Sequence, residues 1–177
     1  MSNLRLINET SFTDVASVNI DNVFSADFDI YKMTFDVEKY SGGVVSVEHR
    51  LINSTGSVIT ASEYDVANQK LPAYSGFSFQ EDRYTNGNDM RGLGIIGVAS
   101  THNTQGVAYI FNPYDSSSYT FLLTQSTYYN DGSPTSYFGY KGIQVHKSAE
   151  TIRGLNIYSV SGNYQGLVRT YGLRVDS

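Results

Sequence analysis

The sequence predicts an all-β protein with little or no helix: an antiparallel two-sheet β-sandwich, jelly-roll-like, closed by a C-terminal hairpin. Three observations predict it. Apolar and polar residues alternate through Asp27–Glu38, where Tyr31, Met33, Phe35 and Val37 are interleaved with Lys32, Thr34 and Asp36; a period of two marks a strand with one buried face. Fifteen Tyr and nine Phe suit a pleated, half-buried surface. Turn-forming residues, sixteen Gly among them, interrupt every helical candidate, and strands at roughly 8–12-residue spacing without intervening helices indicate a sandwich or barrel.

The elements follow in order. Phe28 and Ile30 lie on the parity opposite to the Tyr31–Val37 set, which places a bulge or a second buried surface near the start of that strand. Val44–Asn53 follows Ser41-Gly42-Gly43, a glycine-containing turn that signals a hairpin. Asn53–Gly56 reads as a turn and Ser57–Thr60 as a strand. Ser62–Leu71 is the best helical stretch, with Ser62 as a cap and Pro72 as a stop, although its composition fits an irregular loop equally. Further strands are predicted at Gly76–Gln80, Gly92–Ser100, Gly106–Phe111, Ser118–Thr127, Tyr137–Lys141 and Gly142–Lys147, with Tyr119, Phe121 and Leu123 sharing one face. Asn112-Pro113 and Asn130–Pro134 punctuate them as loops. Ile152–Ser161 and Leu167–Leu173, joined by the polar turn Gly162–Gly166, form the closing hairpin.

A length of 177 residues fits a single β-sandwich domain over 1–177. A chain of this size buries roughly 70% of its unfolded surface, enough for a self-sufficient core. The net charge is −5 and the basic residues are scattered. The closest approach to a basic cluster is Lys141, His146 and Lys147, interrupted by Gly142. A phosphate-binding groove needs clustered Lys and Arg, so nucleic acid is not an expected partner. With no cysteine, disulfides, thiolate metal sites and Cys nucleophiles are excluded. No apolar run approaches the ~20 residues of a membrane span, so membrane insertion is not expected. The N-terminus MSNLRLINETSFTD lacks the apolar core of a signal peptide, which points to synthesis in a cytoplasm.

No catalytic constellation stands out. His49, His102 and His146 could be combined with serines on paper, but no Ser sits in a G-x-S-x-G elbow, and His49 and His146 read as exposed-face strand residues. Glycoside hydrolysis needs two carboxylates facing one cleft; Glu48, Glu81 and Asp82 are available, and nothing in the sequence places two together. The segment Glu81–Arg91 carries Glu81, Asp82, Asn86, Asn88 and Asp89, oxygen ligands of the kind calcium takes. It does not fit the spacing of a calcium loop, and Asn86-Gly87 reads as a turn, so no metal and no cofactor are expected. Tyrosines cluster between 109 and 140. Tyr109 and Tyr119 read as core; Tyr128, Tyr129, Tyr137 and Tyr140 read as surface contacts in polar loops, with Asn86 and Asp89 as a second contact loop. Tyr supplies large contact area with little entropy loss.

The run Val107–Leu123 and the ending GLNIYSVSGNYQGLVRTYGLRV resemble virion structural proteins of tailed marine bacteriophages, notably cyanophages. The matching positions are Asn112 and Pro113, Ser116–Thr120, Ser161-Gly162-Asn163, Gly166 and Tyr171-Gly172-Leu173, with Phe24–Asp36 also of the type. These motifs set turn geometry and strand pairing, and no catalytic residues can be transferred. The resemblance implies a non-enzymatic capsid decoration or tail-associated component, located in the virion after synthesis in a host cytoplasm. Its partners would be other virion proteins in a multicopy assembly, and a host-surface glycan or receptor if it contributes to adhesion. The alternatives are a receptor- or glycan-binding fibre-head module and, behind it, a carbohydrate-active enzyme on a sandwich scaffold.

Overall fold

The computed structural model describes residues 4–42, 45–73, 76, 78–91, 95–96, 103–130 and 136–173. Among these there are twelve strands and no helix: β1 (Leu4–Val15), β2 (Ser17–Ile20), β3 (Ile30–Ser41), β4 (Val45–Asn53), β5 (Tyr64–Pro72), β6 (Gln80–Gly87), β7 (Ile95–Ile96), β8 (Thr104–Phe111), β9 (Thr120–Asn130), β10 (Ser136–His146), β11 (Ile152–Ser159) and β12 (Asn163–Leu173). They form an antiparallel β-sandwich of unequal sheets. The large sheet has eight strands in the order β1-β12-β3-β8-β9-β10-β5-β6; the small sheet runs β2-β11-β4-β7 and ends in the two-residue β7. The expected antiparallel two-sheet sandwich is what the chain forms, with eight strands facing four.

The alternating strand predicted around residues 31–37 is β3, and Tyr31, Met33, Phe35 and Val37 are all buried in the main apolar cluster. From the small sheet Val47 and Leu51 of β4 and Leu155 and Ile157 of β11 join the same cluster. Three fully buried tyrosines find backbone partners for their hydroxyls, as buried phenols must. Tyr31 donates to the Ser25 carbonyl at 2.9 Å, Tyr64 to that of Ile59 at 3.2 Å and Tyr164 to that of Ile157 at 2.7 Å.

Both ends of the chain pass from one sheet to the other. β1 pairs with β12 in the large sheet, whereas β2, one residue further on, pairs with β11 in the small one. The predicted closing hairpin is therefore corrected. Both of its strands exist, but β11 pairs with β2 and β4, and β12 pairs with β1 and β3. The turn through Gly162 (φ 72°) carries the chain across the sandwich as an arch. Gly154 marks a close approach in the small sheet: a Cβ there would meet the Ile20 carbonyl oxygen and lie 2.9 Å from the Asp21 Cα.

Four local expectations also change. Ser62–Leu71 is neither helix nor loop, because most of it is β5, whose Tyr64, Val66 and Asn68 are buried on alternate positions. Most of Glu81–Arg91 is edge strand β6 rather than loop. Ser57–Thr60 forms no strand and meets β4 only at the bridge Ile52↔Val58. Tyr137–Lys141 and Gly142–Lys147 are joined as the single strand β10. His102, most of Gly92–Ser100 and the loop after Asn130 lie outside the described residues.

Candidate interaction face and carboxyl pair

The outer face of the large sheet carries an unexpected concentration of apolar side chains. Strand register places Leu6, Tyr171, Lys32, Tyr109, Leu123, Ile143 and Ala67 side by side across seven strands. A second row two residues along contains Leu4, Leu173, Ile30, Phe111, Phe121 and Val145. Leu6, Tyr109, Phe121, Leu123 and Ile143 are between 39% and 59% exposed, a range in which large apolar side chains still present substantial surface to water. The next row is mostly polar, with Arg169 (bonded to Glu9 at 2.6 Å), Thr34, Gln125, Lys141 and Gln69 around a single apolar member, Val107.

Tyr109 and Tyr119, expected in the core, face solvent, and so does the Tyr119–Phe121–Leu123 face. The buried parity of β9 is instead Thr120, Leu122, Thr124, Ser126 and Tyr128. Period-two reasoning found the strand but assigned the larger side chains to the wrong side of the sheet.

The four tyrosines expected in loops all lie on strands. Tyr128 and Tyr129 end β9, and Tyr137 and Tyr140 begin β10. Tyr128 is buried and stacked on Phe138, with ring centroids 4.8 Å apart and planes at 16°, and it also packs against Tyr140 at 5.5 Å. Tyr137 is exposed and meets half-buried Tyr129 at 5.0 Å across the register. Around them lies a cleft of about 310 Å³ lined by Thr127, Tyr128, Tyr129, Tyr137, Phe138, Gly139, Ala73 and Asn103. The structure thus brings this predicted set together while dividing it between the two faces of the sheet.

Asn86 and Asp89 do not form one contact loop. Asn86 ends β6 in a left-handed conformation (φ 56°); its N–H donates to Asp65 Oδ1 at 2.8 Å, and its side-chain oxygen accepts from Lys147 Nζ at 2.6 Å. Asp89 turns inward to meet Glu48, and both are nearly buried. The Tyr158 hydroxyl lies 2.8 Å from Glu48 Oε2 and 2.7 Å from Asp89 Oδ2, and Tyr84 donates to Asp89 Oδ1 at 3.0 Å. Arg91 reaches both carboxyls, at 3.5 and 3.7 Å, and Arg50 Nε donates to the Asn88 carbonyl at 2.9 Å while its guanidinium lies over the Tyr158 ring. Burial, reinforced by the neighbouring Asp89 charge, raises the Glu48 pKa against the pull of the Tyr158 hydrogen bond. Burial also pushes Asp89 upward, but bonds from Tyr158 and Tyr84 outweigh it and hold Asp89 below the ordinary carboxylate range. The pair holds a proton more readily on Glu48 than on Asp89, as two close carboxyls do.

Sequence reasoning had Glu48 among its acids and found no partner for it. The partner comes from the bridge His49↔Met90, in which the two residues exchange backbone hydrogen bonds of 3.0 and 2.8 Å and strap residues 88–91 along β4. Both carboxyls are nearly buried, so little of either is open to a substrate. Glu81 and Asp82 stand on opposite sides of β6 by alternation, so the oxygens once considered for calcium do not converge.

The histidines are corrected as well. His49 and His146 are fully buried rather than on an exposed face. His49 points between the sheets, where its Nε2 lies 2.6 Å from Gln144 Oε1, and Gln144 in turn donates to the Arg91 carbonyl. Burial, only partly offset by the Gln144 bond and Asp89, lowers the His49 pKa to about 4. Nε2 of His49 meets Gln144 and Nε2 of His146 meets Glu63, so neither of these contacts is to a serine.

The fold defines the chain as an all-β antiparallel sandwich with one broad, partly apolar outer face. No family model matches it, and no curated protein matches it. A crystal structure of a functionally unknown protein from Saccharomyces cerevisiae is similar at 10% identity over 94% of this chain and 93% of that one, with a TM-score of 0.29, a likeness too slight to carry an argument.

Proposed function

We propose that this protein is a non-enzymatic structural component of a multicopy assembly, and that copies pair through the outer face of the large sheet. The two-row apolar belt across β1, β12, β3, β8, β9, β10 and β5 supports this reading. At a strand spacing of about 4.8 Å and a row spacing of about 7 Å, the twelve apolar positions of the belt cover ~400 Å² in plan, with Lys32 and Asp65 set among them. That lies within the range of the largest apolar patch on an ordinary monomer, about 300–600 Å², a patch that is often functional. Adding the polar row beside it brings the face near the ~800 Å² per partner of a standard interface. An apolar centre with a polar rim carrying both signs of charge suits a second copy of the same face. The setting is a virion surface, in keeping with the cyanophage-like turns of the sequence.

Leu123→Glu combined with Ile143→Glu tests the reading. Both side chains face solvent, so the variant keeps the fold and its circular-dichroism spectrum. Sedimentation should show pairing of the parent protein and its loss in the variant. A parent that stays monomeric into the millimolar range, or a variant that pairs equally well, would overturn the role of this face. Mass spectrometry of purified particles tests the virion setting separately.

One observation favours a second reading, glycan binding. The tyrosine-lined cleft between β9 and β10 offers ring faces beside Asn103 and Thr127, a chemistry suited to sugars. Saturation-transfer contacts from a glycan panel to Tyr129 and Tyr137 in the pure protein would support it; absence of such contacts from every glycan would remove it.

A further inference from the structure

We infer that Glu63, His146 and Glu150 form a site for a divalent transition metal of the zinc class. The three come from separate places in the chain: Glu63 immediately precedes β5, His146 ends β10, and Glu150 lies in the connection to β11. Strand register opposes His146 to Tyr64, next to Glu63, and the Lys147 N–H donates to the Glu63 carbonyl at 2.9 Å. The far end of the connection is held where the Ile152 N–H donates to the Pro113 carbonyl at 2.7 Å. The His146 ring is fully buried, packed 5.0 Å from the Tyr64 ring, and presents Nε2 to both carboxylates. Nε2 lies 3.2 Å from Glu63 Oε2 and 3.7 Å from Glu150 Oε1, and the three ligand atoms lie within 4.8 Å of one another.

Those separations are the argument. A metal with bonds of about 2.0–2.2 Å in tetrahedral geometry holds its ligand atoms roughly 3.3–3.5 Å apart. The two contacts to Nε2 already bracket that value. Both Glu side chains are about one-third exposed and can close on an ion, leaving a fourth position to water.

Nε2 of His146 carries at most one proton, so a hydrogen bond to Glu63 leaves Glu150 without one. Neither Glu63 nor Glu150 makes an ion pair with Lys or Arg among the described residues. Lys147 is engaged by Asp65 at 2.8 Å and by Asn86, and Arg50 by the Asn88 carbonyl and Asp89. A metal on Nε2 leaves the proton on Nδ1, which then needs an acceptor. Nδ1 is buried without a hydrogen-bond partner, and Thr120 across the register keeps its Oγ1 unpaired as well, so that acceptor is not in place and the ligand separations alone carry the assignment. Imidazole with carboxylates suits zinc, cobalt, manganese or iron, whereas calcium selects oxygen ligands throughout.

The test is titration of the chelator-treated full chain with Zn²⁺, and with Co²⁺ as a spectroscopic probe. One equivalent should bind, with cobalt visible bands and a shift of the His146 ring resonances. Glu63→Gln combined with Glu150→Gln should weaken binding at least about tenfold, since even residues that only orient a ligand are worth that much. These side chains reach solvent, so this variant keeps its fold even if His146→Ala does not. Absence of stoichiometric binding, binding unchanged in the double variant, or Ca²⁺ bound as tightly as Zn²⁺ would each overturn the assignment.

Discussion

His49 makes the stability of this protein depend on pH in a way that can be worked out from its surroundings. It is fully buried on β4, faces Gln144 across the sandwich, and has a pKa lowered from 6.5 to about 4 by burial. In the unfolded chain it titrates near 6.5, so between pH 6.5 and 4 the unfolded state binds a proton that the folded state does not. Stability therefore rises with pH across this window and falls as the solution is acidified. Each pH unit is worth about 1.4 kcal/mol, so the interval from 6.5 to 4 amounts to ~3 kcal/mol, a large share of a typical 5–15 kcal/mol stability. Glu48 acts in the opposite sense: its raised folded pKa stabilises at low pH, and that stabilisation is lost as pH rises through the folded value. The His49 contribution is isolated by comparison with His49→Gln, which keeps an N–H donor for Gln144. Urea unfolding from pH 4 to 7 should give the parent a slope that the variant lacks, and the His49 ring resonances should titrate near 4. Equal slopes in the two proteins, or a His49 titration near 6.5, would refute the reasoning.

Three further outcomes follow from the packing. Tyr128→Ala removes a ring stacked on Phe138 and should cost about 3 kcal/mol, whereas Tyr137→Ala, on the exposed side, should change urea stability by no more than about 0.5 kcal/mol. Gly154→Ala pushes a methyl group into the backbone of Ile20 and Asp21 and should cost about 1–3 kcal/mol, measured by thermal unfolding. Tyr158→Phe withdraws the hydroxyl shared by Glu48 and Asp89; stability should drop by about 1–3 kcal/mol at neutral pH, and the Glu48 carboxyl carbon should titrate higher than in the parent.

The all-β architecture was legible in the sequence because β3 states its pattern clearly: four apolar residues on one parity and three polar ones between them. β9 misled because its two parities are both rich in large or β-branched residues. Thr120, Thr124 and Ser126 occupy the buried side while Phe121 and Leu123 go outward, so hydrophobicity alone gives the wrong face. β5 was obscured by Asn68, Gln69 and Lys70, whose polarity reflects a place near the sheet's edge, beside β6. The ending announced its turn at Gly162, but a turn does not say whether the strands on either side of it pair with each other or cross between sheets. The carboxyl pair was hidden for a similar reason. Glu48 and Asp89 meet through a bridge between His49 and Met90, and no local pattern encodes that distant contact.

The pairing of β1 with β12 has a mechanical consequence. Leu4 and Leu173 are register partners at the same end of an antiparallel ladder. Force applied between these residues acts across the strands, so it loads one pair of hydrogen bonds at a time, beginning at Leu4–Leu173 and travelling toward Val15–Tyr164. Beyond that point the load passes to β2 and β11, and the opening front moves from the large sheet into the small one. The protein should yield by peeling at low force in an optical trap when held there. Held instead through Leu4 and Tyr164, at opposite ends of the ladder, it must break those bonds together in shear and should resist far more strongly.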